Sequence, residues 1–167
     1  MSLASLAAAC TAQTTITTPL GTVLLARTAT GLAGAWFEGQ EAHPVVIDAP
    51  RRDDDALLRD AASQLAAYFA GQRRHFDLPL DLRGTEFQRK VWRALLRIDA
   101  GQTSSYGAIA REVGSPRAVR AVGGAVGRNP IAVIVPCHRV LGGDGNLTGY
   151  AGGLQRKSAL LRLEGVL

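Results

Sequence analysis

Cys137 and His138 stand side by side in the run Ile134-Val135-Pro136-Cys137-His138-Arg139-Val140. They are the two residue types from which a nucleophile and its base are built. Only the thiolate of a cysteine attacks efficiently. A free thiol of pKa about 8.5 is only a few per cent ionised at neutral pH, so a reactive one needs a base or a cation beside it. His138 can be that base, directly or through a water, provided a third group orients its ring. An isolated Cys-His pair is also compatible with a buried cysteine and an incidental neighbour; what precedes and follows the pair decides between the two.

The elements that must position this pair begin at Gly84. Thr85 and Gln88 form a capping box. The helix they open carries the stripe Phe87, Val91, Leu95 and Ile98 and stops at Gly101. A second helix is expected from Ser105 to about Gly114. Ser115 then caps a third, with Pro116 at the first helical position, where its missing N–H costs nothing. That helix runs to about Gly127 with Val119, Val122 and Val126 on one side. Two short helices around a tight Gly-Ser turn make a helix-turn-helix candidate. Its third helix is nearly free of the long polar side chains that read base edges in a major groove. Ala118, Ala121, Gly123, Gly124 and Ala125 would let it approach a phosphate backbone or a narrow groove closely, and Arg120 is the one long side chain near its centre. Two mid-helix glycines cost about 1 kcal/mol each relative to alanine. Their reason is either such an approach or close helix–helix packing. A surface of this kind is built for affinity without sequence preference.

The first half reads as α+β. Segments 14–18, 22–28 and 32–38 are rich in β-branched and apolar residues, and Pro19-Leu20-Gly21 and Thr30-Gly31 supply turns, so a small antiparallel sheet is expected. Asp53, Asp54 and Asp55 offer a cap for a helix with Leu57, Leu58, Ala61, Leu65, Tyr68 and Phe69 at helical spacing, ended by Gly71. Residues 73–82 read as an extended connection. His43 and His75 are lone histidines among loop signals and read as surface residues.

Composition narrows the partners. Apolar and charged fractions of 47% and 20% are those of an ordinary globular chain. The formal charge of +5 is concentrated. Between Arg83 and Arg128 lie nine basic residues and three acids, a net +6, which leaves about −1 for the rest. Such a patch is the electrostatic footprint of a nucleic-acid surface. Two distant cysteines, Cys10 and Cys137, make no disulfide framework, and no CxxC pair or histidine cluster offers a metal site. The start, MSLASLAAAC, lacks the positive segment of a lipoprotein signal and reads as a disordered or strand-leading terminus. No apolar run approaches the ~18 residues of a membrane span. A reduced, cytoplasmic protein is expected, nucleoid-associated if the source is bacterial.

Residues 83–165 as a whole resemble the O6-alkylguanine-DNA alkyltransferases, the methylated-DNA–protein-cysteine methyltransferases. The resemblance runs in order, with the family's spacing, through Gly84-Thr85-x-Phe87-Gln88, Ser105-Tyr106, Pro116 to Gly123 and Asn129-Pro130. It continues through Pro136-Cys137-His138-Arg139-Val140, Gly149-Tyr150, Lys157 and Leu160-Leu161-x-x-Glu164. It implies an α+β chain in two parts. Residues 1–82 would be a small ribonuclease-H-like α/β domain, and 83–167 a mainly helical DNA-binding and alkyl-acceptor domain. It further implies that Cys137 accepts the alkyl group, that His138 deprotonates it through a water, and that Glu164 holds the imidazole tautomer. Asn129 would buttress the turn before the cysteine. Tyr106 would crowd the phosphate and hydrogen-bond the purine, and Arg120 would fill the vacated stack. Ala118 and Gly123 would lie against the DNA. Main-chain groups near Val140 and in the loop Tyr150-Ala151-Gly152 would hold the guanine. The implied partner is double-stranded DNA carrying O6-alkylguanine, bound by a monomer through the minor groove, and no cofactor is implied.

Three departures from the family pattern matter. Ala151 stands where many members have serine. Cys10, His43 and His75 do not match the ligands of the structural zinc found in some members, so no metal is expected. No phosphotriester-sensing domain is expected ahead of residue 1, and so no bifunctional regulator. Two other classes remain open to test: a Cys-His hydrolase, marked by repeated turnover of an ester or amide, and a non-enzymatic DNA-binding regulator, marked by sequence-selective binding indifferent to thiol alkylation.

Overall fold

Alternation along the first strand sets the sheet. In a computed structural model, which describes every residue except Met1 and Val45, Ala12 and Thr14 of β1 (Ala12–Thr18) point inward, and Thr15 and Thr17 point to solvent. The strand pairs antiparallel with β2 (Gly21–Arg27), which pairs with β3 (Leu32–Phe37) in the order β1-β2-β3. Gly21 closes the first hairpin at φ +116, a conformation that disfavours any side chain. The three strands fall close to the expected segments.

β3 is buried at every position, so both faces need a cover. One face meets the main core. The other is covered by α1 (Leu3–Ala9), whose Leu6 packs with Cys10, Ala26, Trp36 and Ile47. This corrects the expected disordered or strand-leading terminus. Alanine-rich sequence has high helix propensity, the Ser2 hydroxyl caps the Ser5 N–H at 3.2 Å, and the apolar back of β3 supplies the burial that fixes the helix. The outer edge of β3 is taken up by two later segments of chain. Leu32 N–H donates to Pro79, Ala35 N–H donates to the Pro130 carbonyl at 2.8 Å, and Ala132 N–H returns a bond to Ala35 at 2.9 Å. The N-terminal sheet therefore carries the stretch that leads into Cys137.

Helix α2 (Ala56–Phe69) starts at Asp55, whose carboxylate accepts the Leu58 N–H at 2.9 Å, and Gly71 follows its end at φ +74. The extended connection then reaches α3 (Glu86–Leu95), which opens with the full Thr85–Gln88 capping box. This helix ends six residues before Gly101; Ile98 is still buried, but in the turn beyond it. A two-residue strand, β4 (Ser104–Ser105), leads into α4 (Tyr106–Glu112), capped by Ser105. Helix α5 (Val119–Gly127) begins three residues later than the Pro116 signal implied, because Ala118 N–H bonds Ser115 O and closes a turn first. Val119 consequently lies outside the buried stripe, 41% exposed, while Val122 and Val126 are buried. After a single 3-10 turn (Cys137–Arg139) comes β5 (Val140–Leu141), parallel to β4, and the chain ends on α6 (Leu154–Leu163). One hydrophobic core joins both halves: Leu25, Phe37 and Leu65 belong to the same cluster as Trp92, Ile109, Val122 and Leu160. Trp92 Nε1 stitches α3 to α5 through the Ala125 carbonyl at 2.8 Å.

Candidate active site

The turn that presents Cys137 is held by one side chain. Asn129, buried at the end of α5, donates through Nδ2 to Val135 O at 2.8 Å and to Cys137 Sγ at 3.1 Å. Its Oδ1 accepts the Ile131 N–H at 2.9 Å. Between these bonds Val133 is bent to φ +71, a costly conformation for a β-branched residue, kept only where the surroundings over-determine it. Burial pushes the Cys137 thiol above its ordinary range, opposed by the Asn129 bond and the positive charge of Lys157. At rest the residue is a protonated thiol, and its activation has to come from a base.

His138 is fully buried, and its Nε2 lies 2.8 Å from Glu164 Oε1. Since the carboxylate can only accept, Nε2 carries the hydrogen and Nδ1 is left as the basic nitrogen. Nδ1 is buried and has no protein partner among the described residues. Burial lowers the histidine below its ordinary value against the pull of Glu164, so the ring is neutral and able to accept a proton at neutral pH. Glu164 itself is pushed up by burial, but bonds from His138, Arg139 and Tyr68 outweigh that and hold it far below the carboxylate range. Arg139 contributes two of them, Nε to Oε2 at 2.9 Å and Nη2 to Oε1 at 2.8 Å. Tyr68 donates its hydroxyl to Oε1 at 2.7 Å.

In front of the sulfur lies a cavity of about 150 Å³, lined by Tyr106, Gly123, Val126, Gly127, Cys137, Gly149, Tyr150, Ala151 and Glu41. The β4–β5 pairing explains why Tyr106 is there: Ser104 sits opposite Val140, three residues past the cysteine. The Tyr106 hydroxyl donates to Thr148 O at 3.1 Å. Lys157, completely buried, ties the loop after β5 in place by donating to the carbonyls of Val140 (2.6 Å), Thr148 (2.9 Å) and Gly149 (3.1 Å). Gly152 must be a glycine, because a Cβ there would sit 2.6 Å from the Tyr150 ring. Arg156 spans the two halves, bonding Gly152 O at 3.0 Å and Leu20 O at 2.9 Å with its guanidinium over the Phe37 ring.

Alongside the cavity, α5 turns Arg120, Ala121, Gly124, Gly127 and, just beyond its end, Arg128 to solvent. A Cβ added at Gly124 would meet nothing within 4 Å, and one at Gly123 would only touch Tyr106 at 3.9 Å. Close helix–helix packing is therefore not what these glycines serve. Of the nine basic residues between Arg83 and Arg128, Arg83, Lys90 and Arg97 pair with acids; among the described residues Arg117, Arg120 and Arg128 have no ion-pair partner.

The structure thus gathers Cys137, Tyr106, Gly123, Tyr150 and Ala151 around one cavity, with Asn129, His138 and Glu164 behind the sulfur. Val140 is buried, its carbonyl bonded by Lys157, and Gly152 lies beneath Tyr150. Arg120, on α5, and Ala118, at its N-cap, stand outside the cavity. Of the lone histidines, His75 is exposed and His43 is half-buried near Trp36. Sequence reasoning missed Tyr68, Arg139 and Glu41 as site residues. Arg139 could have been flagged as a charge inside an apolar run, and Tyr68 as a hydroxyl in a core stripe; Glu41 carried no signal.

Comparison with known proteins agrees with this geometry. Residues 86–166 match the family profile "6-O-methylguanine DNA methyltransferase, DNA binding domain", and residues 12–82 match "6-O-methylguanine DNA methyltransferase, ribonuclease-like domain". The methylated-DNA–protein-cysteine methyltransferase of Methanosarcina acetivorans is 50% identical over 147 residues, 88% of this chain and 94% of that one. Its Mycobacterium tuberculosis H37Rv counterpart is 60% identical over 111 residues, 66% of this chain and 67% of the relative. The crystal structure of Mycobacterium tuberculosis OGT in complex with DNA superposes with a TM-score of 0.85 at 49% identity, covering 92% of each chain. With both halves matched in order and the cysteine site intact, the chain belongs to the methylated-DNA–protein-cysteine methyltransferase family.

Proposed function

We propose that this protein repairs O6-alkylguanine in double-stranded DNA by moving the alkyl group onto its own Cys137, once per molecule, with O4-alkylthymine as a second substrate to be tested. The observation that carries this reading is the setting of the sulfur. It faces a cavity of about 150 Å³ beside the exposed small-residue face of α5, and His138 and Glu164 lie buried behind it. In this reading α5 enters the minor groove as part of a monomer, without sequence preference. Arg120 fills the stack that the damaged nucleotide leaves, and Tyr106 crowds its phosphate. The base then takes over the Tyr106 hydroxyl from the Thr148 carbonyl.

In the chemical step the thiol proton passes, through a water, to His138 Nδ1, and the Nε2–H···Glu164 bond stabilises the imidazolium. The S–C bond forms as the C–O6 bond breaks. Guanine recovers one proton at N1, so the reaction is balanced without a cofactor. The thioether has no good leaving group, and nothing near it can activate water against a C–S bond, so transfer is irreversible. The two domains are read as 1–82 and 83–167, and the site of action as the cytoplasm.

Mixing the protein with an O6-methylguanine duplex tests this directly. Mass spectrometry should find one added CH2 mapped to Cys137, and repaired lesions should never exceed protein molecules. Cys137→Ser should bind DNA and stay unmodified. Repeated turnover, or a methyl on Cys10 with Cys137 untouched, would overturn the assignment.

A further inference from the structure

Tyr68 has every local mark of a packing residue. It lies on the inward stripe of α2, 2% exposed, with its ring edge-on to Phe69 at 5.3 Å and tilted to Phe76 at 5.4 Å. A phenylalanine would fill that space. Yet the hydroxyl reaches across 96 residues of sequence to Glu164 Oε1 at 2.7 Å. The same oxygen serves His138 Nε2 at 2.8 Å and Arg139 Nη2 at 2.8 Å. The other charged and titratable groups around the pair are Arg74, on the Glu164 backbone carbonyl at 3.2 Å, Lys157, whose charge also acts on the His138 ring, and Cys137 and Tyr150 toward the cavity. A hydrogen bond to a carboxylate draws on its charge, and each donor leaves less for the others.

We propose that Tyr68 is a positioning residue for alkyl transfer: its hydroxyl fixes Glu164 Oε1 beside the imidazole and sets how much of that oxygen's charge reaches His138. The inference rests on the reading of Cys137, His138 and Glu164 as the reacting group. It gives the N-terminal half a part in the chemistry, since α2 and its tyrosine belong to one half while the cysteine, histidine and carboxylate belong to the other.

The test is the protonation midpoint of the His138 ring, followed by NMR in the intact protein. Tyr68→Phe leaves more negative charge on Oε1 for the imidazolium, so the midpoint should rise by about 0.5–1 pH unit, the size of one charged hydrogen bond shared among three donors. Placing 3-fluorotyrosine at position 68, a stronger donor of nearly the same shape, should lower it; this protein carries the test even if Tyr68→Phe folds poorly. The acid limb of single-turnover methyl transfer should move with the midpoint, equally on the free alkylated base and on duplex DNA, with DNA affinity unchanged. A residue that only packs would lower the melting temperature and leave midpoint and limb in place, and that result would sink the proposal. A wild-type protein that takes no methyl at Cys137 would refute the repair reading instead, while the ring titration still decides the role of Tyr68.

Discussion

Glu164 shows how a full charge is tolerated in a core: its two oxygens accept from His138, Arg139 and Tyr68, and the side chain is only 2% exposed. Removing one partner of such a pair strands the other, at a cost of about 3–5 kcal/mol. Glu164→Gln should therefore destabilise the protein by that order in chemical denaturation, because Arg139 loses its counter-charge. It should also slow methyl transfer, because the imidazolium loses its anion. A variant of unchanged stability would show that Arg139 finds another partner. The pH dependence has a definite sign. The native His138 ring is held below its ordinary value, so between the two values the unfolded chain binds a proton that the native chain refuses. That contribution is complete above about pH 6.5 and is lost as pH falls below it. Glu164 is also depressed, and its contribution fades below the ordinary carboxylate value of about 4.3. Melting temperature should fall from pH 7 to pH 5, and His138→Gln should flatten the upper part of that slope. At this scale the Cys-His pair stood out from its residue types alone, and Glu164 only through family resemblance. Tyr68 was legible merely as core, since nothing in a helical stripe reveals what a hydroxyl meets.

In the proposed reading DNA engagement turns on helix α5, and its glycines separate stability from binding. Because a Cβ at Gly124 meets nothing within 4 Å, Gly124→Ala should stabilise the protein by up to about 1 kcal/mol through helix propensity. Gly124→Leu should fold as well as wild type yet bind duplex DNA more weakly, with reaction on the free alkylated base unchanged. Equal binding by Gly124→Leu and wild type would place the DNA on another face. Arg120→Ala and Tyr106→Ala should slow duplex repair by an order of magnitude or more beyond any loss on the free base, which has no stack to leave. Equal losses on both substrates would assign these residues to chemistry or fold. The sequence marked α5 through its small residues but misplaced its start, because the Ser115-Pro116 signal that suits a helix N-terminus suits a turn equally well. The N-terminal helix was missed for a related reason. Its stability comes from the back of β3, and a seven-residue segment has too little propensity to announce itself alone.

For the molecule as a whole, charge and core are organised differently. The +6 of residues 83–128 is a property of one segment, and Arg117, Arg120 and Arg128 have no acidic partner among the described residues. Affinity for undamaged duplex should accordingly fall with salt, with a log–log slope of roughly −0.9 per phosphate neutralised, and should differ little between sequences at fixed salt. A marked preference for one undamaged sequence would contradict this. The core, by contrast, ignores the boundary proposed near residue 82, and β3 holds the leader of the cysteine turn through Ala35, Pro130 and Ala132. By itself the sequence determined what is local: the three strands, the helices that open at Asp55, Thr85 and Ser105, the Cys-His pair, the basic segment and the small-residue helix. Each follows from spacing and side-chain type within a few residues. Only the tertiary structure decided what converges across long separations: the cavity, the Asn129 bond to the sulfur, the Arg139 and Tyr68 bonds to Glu164, and the Arg156 strap. Such contacts depend on where separate elements pack, and hydrophobic periodicity reports which face is buried without reporting what it is buried against.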